Sequence, residues 1–339
     1  MCADVGERSN SKMPFSLPHT PKLMISSRDG MTSLASPEWK NNNYNLFAHG
    51  GKIEKLRIEI CEGLYLERLT MQQGALRTLG TIADDCLCLT QFIFTKGSVN
   101  GVNGCYELYS AAYHHSRQDL IARENTQITS IIFGGEAVKQ NFTNSALARM
   151  EGGAHRRLGS DSLIRNPCDH GEHLFEVIDQ YILAVTHSGR QDEVKPLTHS
   201  FISEVQPASS ALVECIVTSD PIKMDHGVMT RRDLALEVER ILWSSQGNVS
   251  DDAKLETMAK QLDVSVRYIQ LAIKEHFGVS YSMLVRIIRL HQARASLRIK
   301  TRYKKISEIA AEHGFLHFGR FSQYYKRLFG VSPRQTDQC

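Results

Sequence analysis

Apolar and polar positions alternate over residues 53–133, then apolar positions recur every third or fourth residue over residues 231–333, so a strand-rich half is expected to precede a helical one. In the first half, residues 53–60, 65–71, 75–81, 86–95, 104–109, 119–122 and 127–133 are short runs of β-branched, aromatic and Leu residues. Gly63, Gly74, Asp84-Asp85, Gly97, Asn100-Gly101 and Asn103-Gly104 punctuate them as turns. Strands recurring at roughly 8- to 12-residue spacing predict a small barrel or jelly roll.

The alternation stops at Gly134-Gly135. Helices are predicted over residues 136–142, 172–187 and 207–217; in the second, Leu174, Val177, Ile178, Tyr181, Ile182 and Val185 form a broad apolar stripe. Such helices either pair two subunits or cover the open face of the barrel. Residues 1–48, with Pro14, Pro18, Pro21, Pro37 and the polar run Asn41-Asn42-Asn43, read as an N-terminal extension. It is either a disordered leader or an arm packed on the strands, with one short helix near Trp39. Residues 218–230, containing Pro221, Asp225 and Gly227, read as a linker, and residues 231–246 as the first helix beyond it.

The helical half carries one pattern twice. In the first copy Leu255, Met258, Ala259 and Leu262 share one face of a short helix, a break follows at Asp263-Val264, and Ser265 is placed to cap a second helix. There Ile269, Ile273 and Phe277 face one way, and Arg267, Gln270 and Lys274 point elsewhere, up to the ending Phe277-Gly278-Val279-Ser280. In the second copy Ile306, Ile309, Ala310 and His313 repeat the short helix and Gly314 suits the turn. Phe321, Tyr325 and Phe329 then repeat the apolar face, with Arg320, Gln323 and Lys326 outward, up to Phe329-Gly330-Val331-Ser332-Pro333. Residues 280–299 between the copies predict one continuous helix of about 20 residues, roughly 30 Å long. Major-groove segments recur along one face of B-DNA every 34–36 Å or so, and bending shortens the distance, so two units on such a rod suit adjacent grooves.

Charge sharpens this expectation. Residues 231–339 carry 19 Lys+Arg against 11 Asp+Glu, a net of +8; the whole chain has 40 against 37, which leaves 21 against 26 in residues 1–230, a net of −5. Between Glu275 and Glu308 there is no carboxylate, whereas Arg286, Arg289, Arg294, Arg298, Lys300, Arg302, Lys304 and Lys305 supply eight cations, as a phosphate-tracking surface requires.

At these residues the chain resembles the AraC/XylS family of bacterial transcription regulators, whose DNA-binding region is a pair of helix-turn-helix units joined by a long helix. The resemblance covers roughly the last 100 residues and rests most on Ile309-Ala310-Ala311-Glu312-His313-Gly314-Phe315, the helix opening at His317, and the ending Phe329 to Pro333. Two positions depart from the family. Asp263 stands where Gly is usual, and Asp enters the left-handed region more readily than most residues. Leu271 occupies a position often polar and base-facing in the family. The resemblance implies a DNA-binding domain over residues 231–336 and a cupin-like effector-binding and dimerisation domain over residues 49–217, hence an α+β two-domain fold. It further implies that outward positions early in each second helix reach base edges.

On that basis Arg267, Gln270, Arg320 and Gln323 are the candidate base contacts, since Arg suits guanine and Gln suits adenine. Arg286, Arg289, Arg294, Arg298, Lys304 and Lys305 are the candidate phosphate contacts. His317, where Ser or Asp would cap better, either caps weakly or turns to a phosphate. Arg68, Arg77 and Arg123 lie in or beside predicted strands, as contacts to an anionic effector or as solvent-facing residues.

The sequence argues against chemistry and against membranes. No Gly-rich phosphate loop, Gly-x-Ser-x-Gly elbow or Cys-x-x-Cys pair occurs. His114-His115 and the cluster Asp169, His170, Glu172 and His173 lack the spacing of a cupin metal site, so neither metal nor cofactor is expected. Of the eight cysteines only Cys86 and Cys88 are close, and reduced thiols are expected, with a redox switch the alternative. No apolar run approaches about 18 residues and the N-terminus lacks a signal-peptide core, which predicts a cytoplasmic protein. The expected function is an effector-responsive, sequence-specific transcriptional activator. Its expected partners are promoter double-stranded DNA, a small-molecule effector, a second copy of the chain and RNA polymerase. The alternatives are a cupin-type enzyme fused to a DNA-binding domain and an effector-independent DNA-binding protein.

Overall fold

The computed structural model describes residues 21–27, 36–46, 53–72, 76–95, 97–99, 102–104, 107–113, 117–142, 163–165, 169–187, 191–219, 222, 226–244, 251–299 and 304–338. His114-His115, Lys300, Arg302 and the first 20 residues of the N-terminal extension lie outside them.

The strands are β1 (Lys22–Ser27), β2 (Trp39–Leu46), β3 (Ile53–Cys61), β4 (Leu64–Met71), β5 (Leu76–Ile82), β6 (Cys86–Phe94), β7 (Gly97–Val99), β8 (Val102–Gly104), β9 (Glu107–Tyr113), β10 (Arg117–Ala122), β11 (Thr126–Gly134) and β12 (Leu163–Ile164). They fall into a seven-stranded sheet of order β1-β3-β4-β11-β6-β9-β12 and a five-stranded sheet of order β2-β5-β10-β7-β8. The expected barrel is therefore not closed: two separate sheets face one another across a shared core that includes Leu69, Met71 and Phe92 from one and Leu76, Leu120 and Ala122 from the other.

The extension differs from expectation at Trp39, where a strand replaces the short helix. β2 pairs antiparallel with β5 through a bulge between Lys40 and Asn43, and Trp39 packs on the cluster of Ile82, Cys86 and Cys88. Pairing on either side of the bulge, at Lys40 and from Asn43 to Leu46, overrides the weak strand preference of this Asn-rich stretch, because strand preference is set largely by cross-strand context.

Period two along β11 explains the layers. Ile131 and Phe133 point to one side, into the helices α1 (Glu136–Asn141), α2 (Asp169–His187) and α3 (Gln191–Thr218), where Leu174, Phe175, Ile178, Phe201 and Leu212 are buried. Ile128 and Ile132 point to the other side, toward the five-stranded sheet. Each such fully buried side chain contributes about 1.5–3 kcal/mol. Helix α3 runs through Pro196 and Pro207, although the sequence predicted a helix only from Pro207 onward. Its stripe of Phe201, Ile202, Val205, Ala208, Leu212 and Ile216 is continuous across Pro207, and packing of that stripe outweighs the roughly 3 kcal/mol that an interior proline costs.

The helical half comprises α4 (His226–Ser244), α5 (Asp251–Gln261), α6 (Val266–Phe277), α7 (Tyr281–Arg298), α8 (Ile306–Glu312), α9 (Phe318–Phe329) and a final 3-10 turn, Pro333–Gln338. Helix α4 starts inside the stretch expected to be linker. One apolar cluster joins α4 to α9, and Ile121 of β10 is buried in it, so the outer face of the five-stranded sheet is covered by the helical domain.

Candidate nucleic-acid interface and effector cleft

The duplication seen in sequence is repeated hydrogen bond by hydrogen bond. Val264 N donates to Ala259 O at 3.0 Å and Asp263 N to Lys260 O at 3.4 Å; Phe315 N donates to Ala310 O and Gly314 N to Ala311 O, both at 2.9 Å. Both are Schellman turns, which need a left-handed residue one position beyond the cap. Asp263 fills it at φ 51° and Gly314 at φ 80°. Ser265 Oγ accepts from Tyr268 N and starts α6, while Gly278 and Gly330, both left-handed, end α6 and α9. The second copy departs at its start: His317 is the N-cap of α9 and makes no side-chain cap bond.

Each second helix buries one face and presents the other. Ile269, Ala272, Ile273 and Phe277 are buried in α6, and Phe321, Tyr325, Leu328 and Phe329 in α9. Arg267 and Gln270 on α6 and Arg320 and Gln323 on α9 are exposed, as is His317. Three apolar residues are also bare: Leu271 at 50%, Leu316 at 83% and Phe318 at 39% exposure.

Helix α7 spans 18 residues, hence about 27 Å, and is capped by Ser280 Oγ accepting from Met283 N. Its cations are not equivalent. Arg298 is exposed, as is Lys305 beyond it. Arg286 is half-buried, its guanidinium carbon 4.5 Å from the centre of the Tyr324 ring. Arg289 packs across the turn at Gly314, and Lys304 pairs with Glu312 at 2.7 Å. Arg294 corrects the phosphate assignment: it is 3% exposed and lies 4.4 Å from the centre of the Phe329 ring. It falls in line with Ile287, Leu290, His291 and Leu297, so the helix turns it into the core.

The three arginines considered for an anionic effector all find protein partners or neighbours. Arg68 bonds Asp179 of α2 and Thr129. Arg77, whose side chain is 1% exposed, pairs with Asp119 of β10 and, at 2.9 Å, with Glu239 of α4. Asp119 also meets Arg232 at 3.1 Å and lies 3.6 Å from His276 Nε2 of α6. Arg123 lies against Gly278, where a Cβ would overlap its guanidinium. Burial raises the pKa of Asp119, but Arg77, then His276 and Arg232, hold it below the usual value. Burial pushes the His276 imidazole down to about 4, against the pull of Asp119.

Between the two sheets runs a cleft with about 590 Å³ of empty space, part of it continuous with bulk solvent, and no local sequence signal pointed to it. Lys55, Glu67, Leu69, Phe92 and Ile128 line it from one sheet, and Trp39, Leu76, Thr78, Gln118 and Leu120 from the other. None of Arg68, Arg77 and Arg123 lines it. Strand alternation makes one strand pair serve two surfaces. Leu76, Thr78, Gln118 and Leu120 face the cleft, while Arg77, Asp119 and Ile121 between them face the helical domain.

Among the described residues no three His, Cys, Asp or Glu side chains converge as a metal site would require. Cys86 and Cys88 are buried thiols pushed up to about 12, chiefly by burial, which disfavours the thiolate that redox exchange needs. Among the described residues no helix is long and apolar enough to cross a membrane.

Residues 258–338 match a helix-turn-helix domain family. Over 79 residues the chain is 39% identical to the probable thc operon regulatory protein of Rhodococcus erythropolis, covering 23% of this chain and 24% of that one. Over 99 residues it is 32% identical to the XylDLEGF operon transcriptional activator 2 of Pseudomonas putida, covering 29% of this chain and 63% of that one. The C-terminal domain of AraT, a response regulator from Geobacillus stearothermophilus, is 28% identical with a TM-score of 0.27, covering 31% of this chain and 84% of that chain. The chain thus spans about a quarter of the length of the first of these relatives.

Proposed function

We propose that the protein is an effector-responsive transcriptional activator of the AraC/XylS type, on the premise that residues 258–338 match a helix-turn-helix domain family and that the chain is similar over 99 residues to an operon transcriptional activator. The observation that carries this reading is the pair of Schellman-turned units on either end of α7, each presenting Arg and Gln on an exposed second helix. Arg267 and Gln270 read one major-groove segment of promoter DNA, and Arg320 and Gln323 the next. Arg298 and Lys305, with Arg286, Arg289 and Lys304 at the margins and His317 at the α9 N-terminus, hold the phosphates.

The cleft is the effector site, and its role is binding without catalysis. A ligand that displaces Leu76, Thr78, Gln118 or Leu120 shifts the strands whose opposite face carries Arg77 and Asp119, and so changes the grip on Glu239, Arg232 and His276 of the DNA-binding domain. That gives the effector a differential contact between two states, as coupling requires. The protein works in the cytoplasm as a dimer through α2 and α3, where Leu183 and Leu197 are 55% and 40% exposed, and recruits RNA polymerase.

Selection of binding sites from random duplex DNA by the full-length protein tests the regulator reading. Enrichment of a motif with two blocks, lost on scrambling either block, is the expected result. Equal affinity for selected and scrambled duplexes over a range of salt would overturn it.

A further inference from the structure

The inference rests on the cleft being the effector site and concerns what the cleft takes. The charged residues in its lining are Lys55 and Glu67, among the described residues. Neither stands alone. Lys55 Nζ donates to Ser36 Oγ at 2.6 Å and lies 3.2 Å from Glu67 Oε1. The Ser36 hydroxyl in turn donates to Glu67 at 2.6 Å. Behind them Arg57 pairs with Glu67 and, at 2.7 Å, with Glu38. The four side chains are between 6% and 13% exposed.

Among the described residues two cations therefore face two carboxylates in a nearly dry site, and these four side chains are together neutral. A ligand carboxylate placed there would add an uncompensated negative charge. Drawing Lys55 away from Glu67 to meet it would not change the sum, and an unpaired buried charge costs several kcal/mol. Burial already lowers the Lys55 pKa, which marks the site as poor in solvent.

The rest of the lining supplies the opposite preference. Trp39, Leu69, Leu76, Phe92, Leu120 and Ile128 offer apolar surface. Thr78, also in the lining, has a buried hydroxyl with no hydrogen-bond partner among the described residues. A hydroxyl both donates and accepts, and it is satisfied by a neutral head group without any change in charge.

We propose that the cleft selects an uncharged ligand, an apolar body bearing one neutral hydrogen-bonding head of the amide or alcohol class, and rejects the carboxylate of the same shape. Full-length protein titrated with two matched pairs, cinnamamide against cinnamate and octanamide against octanoate, tests this. Thermal shift and tryptophan fluorescence are the readouts, and Trp39→Phe removes the fluorescence response while leaving the thermal shift if binding is at the cleft.

The expected result is that the amide of at least one pair binds about tenfold or more tighter than its carboxylate, a factor equal to about 1.4 kcal/mol. Glu67→Gln leaves Lys55 and Arg57 facing Glu38 alone, and should raise carboxylate affinity by about tenfold. Thr78→Val, which tests the head-group contact should Glu67→Gln fail to fold, should weaken the amide several-fold without admitting the carboxylate. Carboxylates that bind the native protein as tightly as the amides overturn the proposal, as does a Thr78→Val protein with unchanged amide affinity. Silence of all four probes in both readouts also overturns it. Selective promoter binding in that same sample would leave the DNA-binding reading standing.

Discussion

Arg77 Nη2 of β5 lies 2.9 Å from Glu239 Oε2 of α4, which makes a buried ion pair between the sheet domain and the first helix of the helical domain. Arg77 also pairs with Asp119, so one guanidinium compensates two carboxylates from different domains. Removing it breaks both pairs at once, although Asp119 keeps Arg232 at 3.1 Å.

Arg77→Met is therefore expected to cost about 3–5 kcal/mol of unfolding free energy, the usual penalty for breaking a buried pair from one side. The double change Arg77→Met with Glu239→Gln should cost less than the sum of the two single changes. Urea denaturation of the four proteins checks this; strict additivity would show that the pair is not coupled.

The same cluster sets a pH dependence. His276 is held to about 4 in the folded chain against 6.5 ordinarily, by burial first; Asp119 opposes the shift, and Arg77, Arg232 and Arg123 add to it. Unfolding therefore takes up a proton between those two values. The contribution is fully present above pH 6.5 and is lost as pH falls toward 4, to about 3 kcal/mol in all. Asp119, held below its usual value, titrates beneath this window. Between about pH 7.5 and pH 5 the native protein should lose about 2 kcal/mol from this source, and His276→Gln should flatten that part of the profile. Parallel profiles for the two proteins would contradict the assignment.

Two substitutions at left-handed positions should move stability in opposite directions. Asp263→Gly relieves a non-glycine residue at φ 51° and should stabilise by up to about 1 kcal/mol. Gly278→Ala forces a side chain into φ 72° and into the Arg123 guanidinium, and should destabilise by about 1–2 kcal/mol or more. Thermal melts of both read the signs, and like signs would be inconsistent with the turn geometry.

Base and phosphate contacts separate by how they respond to sequence and salt. Arg320→Ala should cost about 1–3 kcal/mol on the selected site and relax preference at one base pair. Lys305→Ala should weaken all duplexes alike and lower the salt slope by about one. Arg294→Ala should act through folding, since its guanidinium rests on Phe329, and should leave the salt slope unchanged once the folded fraction is equalised. A reduced slope for Arg294→Ala would return that residue to the phosphate surface.

What the sequence made legible was local. The break at Asp263, the cap at Ser265 and the glycine endings announce themselves because each requirement is met within five residues of the residue that meets it. Arg294 was legible but misread: counting cations along α7 ignored that position 294 lies seven beyond Ile287 and three before Leu297, on the buried stripe. Trp39 and β2 were hidden because the polar stretch around Asn43 becomes a strand only through pairing with β5, some 35 residues away in sequence, with Asn41 and Asn42 in the bulge. The cleft and the Arg77–Glu239 junction were beyond sequence reasoning, since alternation tells which strand faces are opposite but not what covers them.

Methylation-interference footprinting of the full-length protein on a selected duplex tests the central claim most directly. Two readers borne on α7 predict two interference blocks on one face of the duplex, centred about one helical turn, or 10–10.5 base pairs, apart. Arg267→Ala should erase only one block and Arg320→Ala only the other. A single block, or loss of both blocks with either substitution, would contradict two units reading adjacent grooves.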